Sequence, residues 1–121
     1  MINYKNRTYG KTKNISVETL KKLFQDKKFD YLSVILLFGS RAKGVANRQS
    51  DYDFAIVGDS SNAPFGLQAK SWIDISIMMD VSECDIDVID LSRADALMKS
   101  SIIESYIVLK EDKNEISRLL T

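Results

Sequence analysis

The chain has no histidine, and this absence removes more function classes than any feature present. Without imidazole there is no Ser-His-Asp or Cys-His relay, no HExxH zinc helix and no histidine general base. Chemistry must run on carboxylates, hydroxyls and cations, a set that suits oxygen-ligated magnesium or manganese. Cys84 is the single cysteine, so no disulfide forms within the chain. The single proline, Pro64, sits in GDSSNAP (residues 58–64), which reads as a loop. Formal net charge is zero, so no global field argues for a nucleic-acid binder. The longest unbroken apolar run, VILLF, falls well short of a membrane span, and the start MINYKNRTYG lacks a signal-peptide core. The expected location is the cytoplasm. Repeats and low-complexity tracts are absent.

What remains is ordinary globular material: 121 residues, 45% hydrophobic and 28% charged. That composition predicts one domain over residues 1–121. Its first 14 residues carry Lys5, Arg7, Lys11 and Lys13 and no acid, which predicts a loose basic arm open to a phosphate or partner contact. Ser16 opens a helix signal, with Glu18 early in the first turn and Val17, Leu20, Leu23 and Phe24 at helical spacing. This helix is expected to end near Lys27.

The chain is organised around residues 39–53, GSRAKGVANRQSDYD. The nearly continuous apolar run 32–38 (LSVILLF) predicts a strand buried on both faces, with helices on both sides of its sheet. It drives into Gly39, which permits a tight turn and close approach of a ligand. Ser40 is a good helix N-cap, and its hydroxyl with the free N–H groups of a helix start can hold a phosphate. A short helix to about residue 46 follows, with Arg41, Lys43 and Arg48 as nearby cations. Residues 51–57 resume a strand, so Asp51 and Asp53 leave one face about 6.6 Å apart along the backbone. Carboxylates at that spacing can converge on one or two divalent ions. A solvated aspartate pair at a turn is the plainer alternative.

Further along, residues 65–81 show both alternation and a helical face, Ala69, Trp72, Ile73, Ser76, Ile77 and Val81. Length favours a helix. Because apolar residues nearly encircle it, Trp72, Met78 and Met79 are either core or partner surface. Residues 84–91 (CDIDVIDL) predict a third strand, with Asp85 and Asp87 on one face. A further carboxylate beside the first two would cost about 4 kcal/mol per close pair at an effective dielectric of 20. A metal converts that repulsion into ligation. A helix over 93–105, an edge strand over 106–109 and a polar tail complete the chain.

The Gly39-Ser40 pair, the Asp51-Tyr52-Asp53 triplet and the later IDVIDL together resemble the minimal nucleotidyltransferase (MNT) family of the DNA polymerase β-like superfamily. The resemblance spans roughly residues 16–110. It implies an α/β (α+β) fold, a mixed β-sheet flanked by helices in the manner of a polymerase β-like palm. It implies an NTP substrate, with ATP the expected one, and Mg2+ as one or two ions. Gly39 and Ser40 would then cradle the β and γ phosphates, with Arg41 and Lys43 as further phosphate contacts. Asp51, Asp53 and Asp87 would be both catalytic and metal-binding, Asp85 being the less favoured third acid. The resemblance further implies a hetero-oligomer with an all-helical HEPN-family toxin, the chain acting as antitoxin by attaching AMP to a toxin tyrosine. Two other readings stay open: a small-molecule nucleotidyltransferase subunit with a helical substrate-binding partner, and a non-catalytic module that neutralises by covering.

Overall fold

The computed structural model describes residues 14–46 and 50–120. The expected basic arm before residue 14, and Arg48, lie outside the described residues. The run LSVILLF forms β1, Leu32–Phe38, as its β-branched and apolar content requires. Alternate residues feed two separate cores: Ile35 and Leu37 face one, while Val34, Leu36 and Phe38 face the other. β2 is Tyr52–Gly58, β3 is Ile86–Asp90 and β4 is Tyr106–Glu111. The sheet order is β3-β2-β1-β4. β1 pairs antiparallel with β2 and β4, whereas β2 and β3 run parallel. The sheet is therefore mixed, and its helices cover both faces.

One face is covered by α1, Val17–Leu23, and α3, Leu67–Met79. Their Leu20, Phe24, Leu67, Ile75 and Met79 pack on Ile35, Phe54 and Val88. The other face takes α4, Ala96–Glu104, and α5, Ile116–Leu119, through Ile102, Ile116 and Leu120. Phe24 meets Phe29 and Phe54 edge-on, with ring centroids 5.0 and 5.7 Å apart. Phe24→Ala is expected to cost about 3–5 kcal/mol. In urea unfolding, the midpoint should fall while the slope stays unchanged.

Several boundaries differ from the sequence expectation, each for a local reason. α1 stops at Leu23 rather than near Lys27, because Asp26 accepts from the Lys28 N–H at 2.9 Å and starts a separate 3-10 turn, Lys27–Phe29. Ser82 does the same for the Cys84 N–H, so Glu83–Asp85 is a 3-10 turn and β3 begins only at Ile86. Asp85 therefore does not share a strand face with Asp87. Asp95 caps α4 through the Met98 N–H at 2.8 Å, which sets its start three residues later than expected.

The largest correction concerns α3. Part of the expected apolar face turns outward: Ile73 and Ile77 are 47% and 63% exposed, whereas Ser76 of that face is buried. The buried residues are Leu67, Ser71, Ile75, Ser76 and Met79. Ser71 and Ser76 return their hydroxyls to the carbonyls of Leu67 and Ile73, each at 2.8 Å. With their polarity satisfied inside the helix, these serines sit in the core at little cost. Of the residues left between core and surface, Met79 is core and Trp72 is 39% exposed.

Candidate active site

Pairing brings the acids together. Phe38, the last residue of β1, lies opposite Asp53, and Asp53 lies opposite Asp87 across the parallel β2–β3 pair. Gly39, immediately after β1, therefore runs past the Asp53 carboxylate. Its φ of +74° is one that L side chains rarely adopt, and a methyl there would overlap Asp53 Oδ2. Only glycine satisfies both demands. The site occupies one mouth of the sheet, in the order turn after β1, start of β2, start of β3.

Gly39, not Ser40, is the N-cap of α2, Ser40–Lys43. Ser40 is the first helical residue, and the cap is made by backbone geometry alone. Ala42 and Lys43 both donate to the Gly39 carbonyl at 3.1 Å. A helix start leaves its first N–H groups without an intrahelical acceptor, and in α2 the first is that of Ser40. Such a group suits a phosphate oxygen.

Electrostatics agree with the pairing. Burial, then the charge of Asp87, then that of Asp51, push the Asp53 carboxyl up to about 6. Asp51 and Asp87 are exposed at the rim. Asp85 is buried and also raised, by burial first and then by Asp51. Asp85, the less favoured third acid, lies in the 3-10 turn before β3, close enough to Asp51 to feel its charge. Among the described residues, no group of three or more acids is already closed around a cation position. The donor set is nonetheless all oxygen, which fits a hard divalent ion. A cation would also relieve the crowding that raises Asp53.

Arg41, expected at phosphate, is engaged elsewhere. Its Nε and Nη2 donate to the Ser50 carbonyl at 3.0 and 2.9 Å, and Nη1 donates to Asn14 at 3.2 Å. Its guanidinium lies 3.9 Å above the Tyr52 ring. Arg41 thus fixes the segment that leads into Asp51 and Asp53. Tyr52 completes the clamp by accepting the Ile15 N–H at 2.9 Å. The signal was available in the sequence, since Arg41 and Tyr52 bracket the loop. Arg41→Lys keeps the charge but loses the fork and the stacking. It should cost about 1.5–3 kcal/mol and speed hydrogen exchange at the amides of Asp51 and Tyr52. Lys43 pairs with Glu104 at 2.9 Å; both ends are well exposed, so a phosphate could displace this pair at small cost.

A family model described as polymerase beta, nucleotidyltransferase, matches residues 18–115. A curated relative, the protein adenylyltransferase MntA of Aphanizomenon flos-aquae, is 28% identical over 94 residues. That match covers 73% of this chain, and the chain spans only 63% of the relative's length. A crystal structure of a toxin–antitoxin with AMP-PNP superposes with TM-score 0.63 at 22% identity, covering 88% of this chain and 81% of that one. A tri-AMPylated Shewanella oneidensis HEPN toxin in complex with MNT antitoxin gives TM-score 0.54 at 20% identity, covering 87% and 80%. At these identities the structures establish a shared fold. No helix among the described residues is long and apolar enough to cross a membrane.

Proposed function

The chain belongs to the polymerase β nucleotidyltransferase family, and from that premise we propose that it transfers AMP from ATP to a hydroxyl, as an antitoxin acting on a HEPN-type partner. The observation that carries the reading is the contact of Gly39 with Asp53, itself in register with Asp87. A backbone turn that holds phosphate oxygens lies against a carboxylate that holds their counter-ion. Similarity to a protein adenylyltransferase and to a HEPN toxin in complex with MNT antitoxin supports the acceptor and partner classes.

Gly39 and the first N–H groups of α2 would hold the β and γ phosphates, with the Ser40 hydroxyl and Lys43 beside them. Asp51, Asp53 and Asp87 would hold Mg2+, which supplies charge neutralisation on the triphosphate. The acceptor oxygen bonds the α-phosphorus while the bond from that phosphorus to pyrophosphate breaks. Pyrophosphate leaves with the electron pair, and the hydroxyl proton passes to Asp87. Positioning and charge account for the catalysis.

The test is incubation with labelled ATP, Mg2+ and a co-expressed HEPN protein. Label on a tyrosine of that protein, lost in Asp51→Asn/Asp53→Asn, is the expected result. Label on a small molecule instead favours the small-molecule subunit. No transfer, with partner binding indifferent to the double substitution, overturns the enzymatic reading.

A further inference from the structure

Beside the sheet mouth lies a fourth carboxylate that the proposed chemistry leaves unused. Asp85 is only 6% exposed, and among the described residues no hydrogen bond or ion pair reaches its side chain. We infer that Asp85 and Asp51 form a separate site for a hard divalent cation of the Mg2+ and Mn2+ class, and that this ion binds without nucleotide. The inference goes beyond the nucleotidyltransferase reading and does not depend on it.

Three observations carry it. The first is a buried charge with nothing to meet it. A carboxylate taken out of water without a partner is costly, and buried charges are as a rule paired or bound to metal. Among the described residues no buried side-chain oxygen is both sealed from solvent and unbonded. The unbonded Asp85 carboxylate must therefore reach an opening. The charge it feels there is that of Asp51, which is exposed at the rim. Two acids at one opening repel each other, and a divalent ion between them turns that repulsion into ligation.

The second observation is register. Tyr52 lies opposite Ile86 across the parallel pair, and both are buried in one core. Asp51 and Asp85 come immediately before that pair; Asp53 and Asp87 come immediately after it. The acids thus form two rungs, about 6.6 Å apart along the strands. Ions that share one catalytic centre lie about 3.5–4 Å apart. An ion held by Asp51 and Asp85 is therefore a position of its own. Two carboxylates, with water completing the shell, are a donor set that Mg2+ accepts.

The third observation is how firmly the turn bearing Asp85 is held. The Ser82 hydroxyl accepts from the Cys84 N–H at 3.2 Å, and the Ser82 carbonyl accepts from the Asp85 N–H at 2.9 Å. The Trp72 indole N–H donates to the carbonyls of Glu83 and Ile86, on either side of Asp85, both at 3.0 Å. These bonds fix the backbone around the carboxylate, so a cation meets Asp85 with little left to order.

The test titrates Mn2+ into the full chain without nucleotide. Asp53→Asn/Asp87→Asn removes one rung, so an ion that remains belongs to the other. One Mn2+ per chain should remain by calorimetry and should broaden the indole N–H resonance of Trp72, the only tryptophan. Adding Asp85→Asn should weaken that binding at least about tenfold and restore the resonance. Asparagine keeps the shape and removes an unpaired charge, so the metal-free variant should melt no lower than its parent. Adding Asp51→Asn instead, at an exposed position, should give the same loss of Mn2+. Glu83→Gln neutralises an exposed acid two residues from Asp85 and should leave the affinity unchanged. Equal losses from Asp85→Asn and Glu83→Gln would make the ion a diffuse counter-ion and overturn the inference. No ion in Asp53→Asn/Asp87→Asn, or one that appears only when a non-hydrolysable ATP analogue is added, overturns it as well. So does undiminished binding after Asp85→Asn. Loss of label transfer by the wild-type chain would sink the nucleotidyltransferase reading alone, because the Mn2+ titration needs no nucleotide.

Discussion

Asp53→Asn is expected to abolish nucleotidyl transfer, on the order of 10³-fold, while making the metal-free protein more stable. The two effects share one cause. Burial and the charges of Asp87 and Asp51 hold the Asp53 carboxyl at about 6, against an ordinary 3.8. The folded state thus favours the protonated form. Its stabilising contribution is complete below about pH 3.8 and disappears as pH rises through about 6. The Asp53 side chain is half-exposed, so solvent screening reduces the effect to about 1 kcal/mol, roughly 4 °C in Tm for a domain of this size. Wild-type protein without divalent ions should lose that much Tm between pH 4 and 7, with other groups adding their own slopes. The asparagine variant should lack this component and melt higher at pH 7. Mg2+ should raise the wild-type Tm more at pH 7 than at pH 5, because ligation requires the ionised carboxylate. Equal pH profiles for the two proteins would show that the acids do not crowd Asp53.

Gly39→Ala should damage both fold and activity. Alanine at φ +74° carries backbone strain of about 1–3 kcal/mol. Its methyl also stands 3.2 Å from Asp53 Cγ and overlaps the carboxylate oxygen. Relief by pushing Asp53 aside adds about 1–3 kcal/mol. The sum predicts a Tm fall on the order of 10 °C. Surviving folded protein should show transfer reduced about 10²-fold or more, because the displaced carboxylate no longer sits beside the phosphate turn. Gly44 is the internal control. It shares the φ of +74° but has nothing within 4 Å of an added Cβ, so Gly44→Ala should show strain alone and retain most activity. Similar losses at both glycines would remove Gly39 from the site.

The central strand and the candidate mouth were legible because their signals are local and strong. An apolar run buried on both faces has few alternatives to a central strand, and β1 starts and stops where that run does. Gly39 followed by two alternating acids points to one end of a sheet whatever the remaining topology. Asp87 was assigned by resemblance, and the parallel register opposite Asp53 supplies the physical reason for its place. Features set by side chains bonding their own backbone were not legible. The turns begun by Asp26 and Ser82, and the inward-facing Ser71, look like ordinary polar residues until their partners are known. The face of α3 was misread for that reason. The role of Arg41 inside the protein was not legible either: a cation beside a phosphate turn suggests a ligand contact, and only the structure shows its fork on the Ser50 carbonyl and its stacking on Tyr52.

The parallel β2–β3 pair closes only after α3 has crossed over the sheet, so Asp87 joins Asp53 through contacts distant in sequence. Such pairings form late, because the intervening chain must be ordered first. Nucleotide and Mg2+ would thus find nothing to grip in the transition state, and they should slow unfolding while leaving the refolding rate untouched.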